Sequence, residues 1–185
     1  LVGGQQTPSI RVQLDPANVP SEIMLSWNSD GWEHRAYWGG NQITYGTDGT
    51  NSRRRMGDLP AAGQWVRLEV PASQVGLDGA TVTGMGFSQF GGRATWDKTG
   101  AATASTPGTA SPASVAAAAV TDTIWSDDAV PAGAFSLNDG KDLWDWVSAN
   151  PAPTSGATAH QAANLAGLHE HFFNYGGETL TPATG

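Results

Sequence analysis

Residues 27–38 read W-N-S-D-G-W-E-H-R-A-Y-W, and this stretch decides the fold. Asn28-Ser29-Asp30-Gly31 is a turn signal, because Asn and Asp side chains bond nearby backbone and Gly accepts positive φ. Before it Ile23, Leu25 and Trp27 alternate; after it Trp32, His34, Ala36 and Trp38 alternate. Period-two alternation on both sides of a turn predicts a β-hairpin with one heavily apolar face. On the opposite face of the second arm Glu33 and Arg35 stand two residues apart, placed to pair or to hold something polar. A face this rich in tryptophan requires a covering sheet from the rest of the chain.

Further strands follow on both sides. Ile10, Val12 and Leu14 alternate with Arg11 and Gln13 over 9–15, and Val66, Leu68 and Val70 alternate with Arg67 and Glu69 over 64–70. Shorter strands are predicted at 42–45, 53–56, 80–90 (with a bulge near Gly84-Met85-Gly86), 92–97, 123–125 and 178–182. Residues 160–173 are ambiguous by period, but the alternation of Leu168, Glu170 and Phe172 favours a strand for the second half. Residues 72–79 read as a loop or a single helical turn. Many short strands bounded by Gly, Asp, Asn or Pro indicate an all-β chain: an antiparallel β-sandwich, jelly-roll-like, with little helix.

Residues 98–121 differ from the rest, being rich in Ala, Ser, Thr, Pro and Gly and almost uncharged. They read as a linker between 1–97 and 122–185. The 185 residues suit one domain with a substantial core. With 9 Lys and Arg against 17 acids, the formal net charge is −8, which disfavours nucleic acid and anionic membranes as partners. The run Arg53-Arg54-Arg55 reads as a turn or strand-edge feature, with an anion or carboxylate-sugar contact as the alternative. There is no cysteine, so thiol chemistry is absent. No stretch is long and apolar enough for a membrane span. The opening L-V-G-G-Q-Q-T-P is unlike a signal peptide, and the chain reads as a piece of something longer.

Three kinds of site are conceivable. His169 and His171 share one strand face, a spacing used by zinc and iron, with His160 and His34 as further candidates; core or surface polar partners are the plainer reading. Asp127 and Asp128 are the foremost oxygen donors for a structural calcium, set against an ordinary role in turns, and Asp97, Asp139 and Asp142 lie in similar positions. Glu33, Glu69, Asp145 and Glu170 are carboxylates of the type a glycosidase uses, but no spacing selects a pair. Nucleophile-elbow, phosphate-loop and H-E-x-x-H motifs are absent, so no enzyme is expected. Among the aromatics, Trp27, Trp65 and Trp125 sit in apolar strands and read as core. Trp32, Tyr37, Trp38, Trp144 and Trp146 suit core or sugar stacking equally.

Several segments carry a resemblance: I-W-S-D-D-A-V-P-A-G-A (124–134), N-P-A-P-T-S-G-A-T-A-H-Q (150–161), G-L-H-E-H-F-F (167–173), L-D-P-A-N-V-P-S-E-I-M-L-S-W (14–27), G-W-E-H-R-A-Y-W-G (31–39), G-Q-W-V-R-L-E-V-P-A-S-Q-V-G-L-D-G (63–79) and G-G-R-A-T-W-D (91–97). They resemble a tryptophan-rich β-sandwich module of large secreted or surface bacterial proteins, often found beside RHS/YD repeats or carbohydrate-associated domains. The resemblance implies an extracellular or cell-surface setting and, by the usual presumption, carbohydrate binding. The order is rotated, however. Residues 1–97 match the later part of a module and 122–185 the earlier part. An out-of-phase cut from a tandem array, a circular permutation, or strand donation between chains would each give this order.

The first expectation is therefore a non-enzymatic structural repeat assembling with copies of itself. The second is a module binding polysaccharide through Glu33, Arg35, Tyr37, Trp38 and Trp144. A metal-dependent enzyme using the histidines is a distant third.

Overall fold

The computed structural model describes residues 6–104 and 120–175; the strand expected at 178–182 lies outside them. Among the described residues twelve strands form two six-stranded sheets. Sheet A contains β1 (Gln6–Leu14), β5 (Val66–Glu69), β7 (Ala94–Ala104), β8 (Val120–Ser126), β10 (Asp145–Val147) and β11 (Ala159–Gln161). Its order is β10-β11-β7-β1-β5, with β8 also paired to β7. Sheet B contains β2 (Glu22–Asn28), β3 (His34–Gly39), β4 (Arg54–Gly57), β6 (Gly84–Phe90), β9 (Phe135–Asp139) and β12 (Leu168–Asn174), in the order β4-β3-β2-β6-β12-β9. All these pairings are antiparallel except β3 with β4. The helical content of the described residues is one 3₁₀ turn at Ala72–Gln74. The all-β sandwich expected from the alternation is thus the observed fold.

The central hairpin forms as its residue types dictate. Asp30 and Gly31 take φ of 56° and 129°, and Gly31 N–H donates to Asn28 Oδ1 at 3.0 Å. The register sets Ile23 opposite Trp38, Leu25 opposite Ala36 and Trp27 opposite His34. Ile23, Leu25, Trp27, Ala36 and Trp38 are buried in one core with Met85 and Phe87 of sheet B and Ile10, Val12, Leu14, Leu68 and Trp96 of sheet A. Each such large side chain removed from water contributes roughly 1.5–3 kcal/mol. The Phe87 and Trp96 rings, one from each sheet, lie 5.6 Å apart.

Several local expectations are corrected. Residues 42–45 form no strand; the loop from Gly40 to Arg53 instead folds over the outer face of sheet B. There Ile43 buries Met24 and Tyr37 beneath it. Glu22 anchors this loop, accepting the backbone N–H groups of Gln42 and Ile43. Burial raises the Glu22 carboxyl above its ordinary value, against the lowering effect of those two donors. Strand β6 pairs continuously with β2 and β12 from Gly84 to Phe90, so no bulge interrupts it. Trp65 is only half-buried, donating from Nε1 to the Ala152 carbonyl at 2.9 Å, whereas Trp27 and Trp125 are core.

Composition misplaced the linker boundary. Strand β7 does not stop at Asp97 but runs to Ala104, and β8 begins at Val120; the two pair from Thr99↔Ser126 to Ala104↔Val120. The remainder of the expected linker lies outside the described residues. Beyond it, β12 pairs with β6 along its full length, and β11 pairs with β7 through His160↔Trp96 and Gln161↔Thr95. Both sheets are thus assembled from the two segments of one chain.

Candidate functional site

The outer face of sheet B is divided in two. One half lies under the 40–53 loop; the other is an open groove of ≈ 200 Å³ lined by Ser26, Trp32, Arg35, Tyr45, Gly86, Glu170 and Phe172. Strand alternation puts Ser26, Arg35, Gly86, Glu170 and Phe172 on this face, because their neighbours Leu25, Trp27, Ala36, Phe87, His171 and Phe173 fill the core. Trp32 precedes β3, so it escapes the inward alternation and meets Phe172 edge-on, with centroids 5.6 Å apart at 80°. Glycine 86 keeps the floor low: a Cβ there would stand 3.4 Å from Phe172 Cβ and 3.7 Å from Trp32 Cζ3.

The polar groups are fixed by their neighbours. Arg35 Nη1 donates to Glu33 Oε2 at 3.2 Å and to the Ser52 carbonyl at 3.0 Å, and the guanidinium lies 5.6 Å from the Tyr45 ring centre. Its side chain is 9 % exposed and that of Glu33 is 69 %. Glu170 Oε2 accepts from Ser88 Oγ at 2.6 Å. Burial, followed by the negative charges of Glu170 and Asp139, pushes the Tyr45 hydroxyl up to about 12, so it remains protonated at neutral pH. The groove therefore combines half-exposed rings with a fixed cation, a carboxylate and neutral hydroxyls.

Of the five residues expected to bind a ligand, only Arg35 lines this groove, with Glu33 attached to it. Tyr37 is 1 % exposed, covered by the loop and donating to Asp48 Oδ1 at 2.8 Å. Trp38 is core. Trp144 lies elsewhere, stacked on Trp146 at 5.8 Å and bonded from Nε1 to the Leu137 carbonyl. Ser26, Tyr45 and Phe172 were not anticipated as site residues. The basic run is distributed over loop and edge-strand contacts: Arg53 to the Ile43 carbonyl, Arg54 to the Gln74 carbonyl and Arg55 to Asp58.

The H-x-H pair points inward. His169 Nδ1 and His171 Nδ1 each lie 3.1 Å from Asp142 Oδ2, and His171 Nε2 lies 2.8 Å from His160 Nδ1. His34 stands apart, bonded to the carbonyls of Val75 and Ser29. Among the described residues no group of three or more His, Asp or Glu has a metal-holding arrangement. Asp128 Oδ1 accepts the Ala157 and Thr158 N–H groups at 2.6 and 2.7 Å, which makes it a loop cap. Asp127 Oδ2 accepts from Ser155 Oγ at 2.9 Å.

Burial, and then the neighbouring His171, hold His160 well below the usual imidazole value of 6.5. Asp142, His169 and His171 are the titratable groups of its network. Folded and unfolded chains are both neutral at His160 above pH 6.5, so this group is silent there. Below that value the unfolded chain takes up a proton that the folded chain resists, so stability falls with pH. Urea midpoints are expected to stay level from pH 8 to 7 and to drop below about 6.5. His160→Gln is expected to flatten that drop, and a wild-type profile level to pH 5 would refute the assignment.

Comparison with family models, curated proteins and solved structures gives no match. No helix among the described residues is long and apolar enough to cross a membrane.

Proposed function

We propose that this chain is an extracellular, non-enzymatic glycan-binding module that takes its ligand in the groove on the outer face of sheet B. The observation that carries this reading is the union of Trp32, Tyr45 and Phe172 with Arg35 and Glu170 in one open groove. Sugar rings present apolar C–H faces that stack on aromatic rings, and their hydroxyls both donate and accept. Glu170 supplies an acceptor, Arg35 and Tyr45 supply donors, and each is already held by a neighbour, which lowers the ordering cost of binding. The sequence resemblance to a module often found beside carbohydrate-associated domains supports the same reading.

Titration calorimetry against neutral plant, algal and bacterial polysaccharides tests it. Binding is expected, and Trp32→Ala is expected to weaken it about 10–100-fold, as loss of an aromatic anchor does. Because Trp32 is half-exposed, the unfolding midpoint should move little. Failure to bind any polysaccharide in the panel, or binding indifferent to Trp32→Ala, would remove the groove from consideration.

Assembly with copies of itself has one observation in its favour: the edge strand β9 exposes Phe135 and Leu137, at 61 % and 48 %. An exposed apolar edge is a template for pairing with another chain. Light scattering on the intact chain should then show concentration-dependent association that Leu137→Lys abolishes; a stable monomer at all concentrations would exclude it.

A further inference from the structure

A second feature lies away from the groove, where β7, the end of β8 and the 150–158 loop meet. Asp97, on β7, is 0 % exposed. Its Oδ2 accepts Thr154 N–H at 2.6 Å, Thr154 Oγ1–H at 2.7 Å and Ser155 N–H at 3.1 Å. Its Oδ1 is buried and has no hydrogen-bond partner. Asp127 follows β8, and its Oδ1 is likewise buried and unpartnered. Ser155 joins the two carboxyl groups: its N–H donates to Asp97 Oδ2 at 3.1 Å and its hydroxyl to Asp127 Oδ2 at 2.9 Å. Two residues along β7, Thr99 is 1 % exposed and its Oγ1 also lacks a partner.

Two carboxyl groups joined through Ser155, each keeping a buried oxygen without a donor, offer a bound cation two free oxygens. Among the described residues neither carboxylate forms an ion pair with Lys, Arg or His: Arg11, opposite Asp97 in the β1–β7 register, makes none with it, and Lys98 lies 3.8 Å from Asp122. The donor set is oxygen only: carboxylates, with hydroxyls close by. That chemistry suits a hard divalent cation, and calcium tolerates irregular geometry better than magnesium. We propose that Asp97 and Asp127 are the carboxylate ligands of a calcium site that ties β7 and the end of β8 to the 150–158 loop. Asp128 lies outside the proposed site: its Oδ1 caps Ala157 and Thr158, and its side chain is exposed. The site joins the two segments of the chain, so the ion acts as a clasp on the sandwich.

The intact chain, stripped with a chelator, tests this by thermal unfolding and by terbium luminescence, with Trp96 and Trp125 close in sequence as antennae. Calcium at about 100-fold excess over its dissociation constant is expected to raise the midpoint by about 5–10 °C. Terbium should give tryptophan-sensitised emission that calcium displaces. Asp127→Asn should abolish both responses, whereas Asp128→Asn, which keeps an acceptor oxygen for the loop, should retain them. If Asp127→Asn does not fold, Asp97→Asn and the terbium displacement on the wild-type chain remain decisive. A midpoint identical in chelator and in calcium, with no terbium emission, would overturn the site. The same outcome follows if Asp127→Asn matches the wild type with both ions.

Discussion

Replacing Asp142 by alanine should lower the unfolding free energy by about 3–5 kcal/mol, the usual cost of removing one partner from a buried charge network. Asp142 is 0 % exposed and receives groups from two directions. Its Oδ1 accepts Ala163 N–H at 2.6 Å, and its Oδ2 faces the Nδ1 atoms of His169 and His171. Burial raises the carboxyl, but the histidine hydrogen bonds outweigh this and bring it to about 2, so it is ionised in the folded protein. Alanine would strand the buried ring nitrogens of His169 and His171 and take the acceptor from the half-buried Ala163 N–H. Urea unfolding followed by tryptophan fluorescence measures the loss. Asp142→Asn, which keeps one acceptor oxygen, should lose less. A loss below about 1 kcal/mol for alanine would show that the histidines find other partners.

Phe87→Ala should cost a similar amount, about 3–5 kcal/mol, for a different reason. Its ring contacts Trp96 at 5.6 Å, His160 at 4.5 Å, His171 at 5.5 Å, Trp144 at 6.1 Å and Phe173 at 6.4 Å. These partners come from both sheets, so the cavity would open where the layers meet and no one layer could close it. Near-UV circular dichroism should lose intensity along with stability. Because Phe87 also packs against the histidines of the Asp142 network, the double variant should lose less than the sum of the single ones. Strict additivity would mean that the aromatic cluster and the network are independent.

The central hairpin was legible because its information is local: alternation on each arm and a turn tetrapeptide between them. The core positions of Trp27 and Leu25 followed from that. The groove was not legible, since it gathers Trp32, Arg35 and Tyr45, Gly86, and Glu170 with Phe172 from three distant stretches. The strand pairings β2–β3, β2–β6 and β6–β12 bring them together. Tyr37 and Trp38 drew attention as aromatics beside a polar pair, but a sequence does not show that a loop covers one and the opposite sheet the other. The common neighbour of Asp97 and Asp127 was hidden similarly: Asp128 is adjacent in the chain, whereas Asp97 and Asp127 meet at Ser155. Strand β9 carries an alternation of Phe135 and Leu137, yet its Ser, Asn and Asp resemble a turn.

The way β7 is shared carries one more consequence. It holds β1 on one side and β11 and β8 on the other, so the halves of the molecule are joined by ladder hydrogen bonds and packed rings as well as by the backbone. Two polypeptides, one ending after Ala104 and one starting before Val120, together contain every described strand and its partner. The described segments 6–104 and 120–175 are therefore bound to each other by three strand pairings, β7–β8, β7–β11 and β6–β12, so losing any one of them still leaves the two segments bridged.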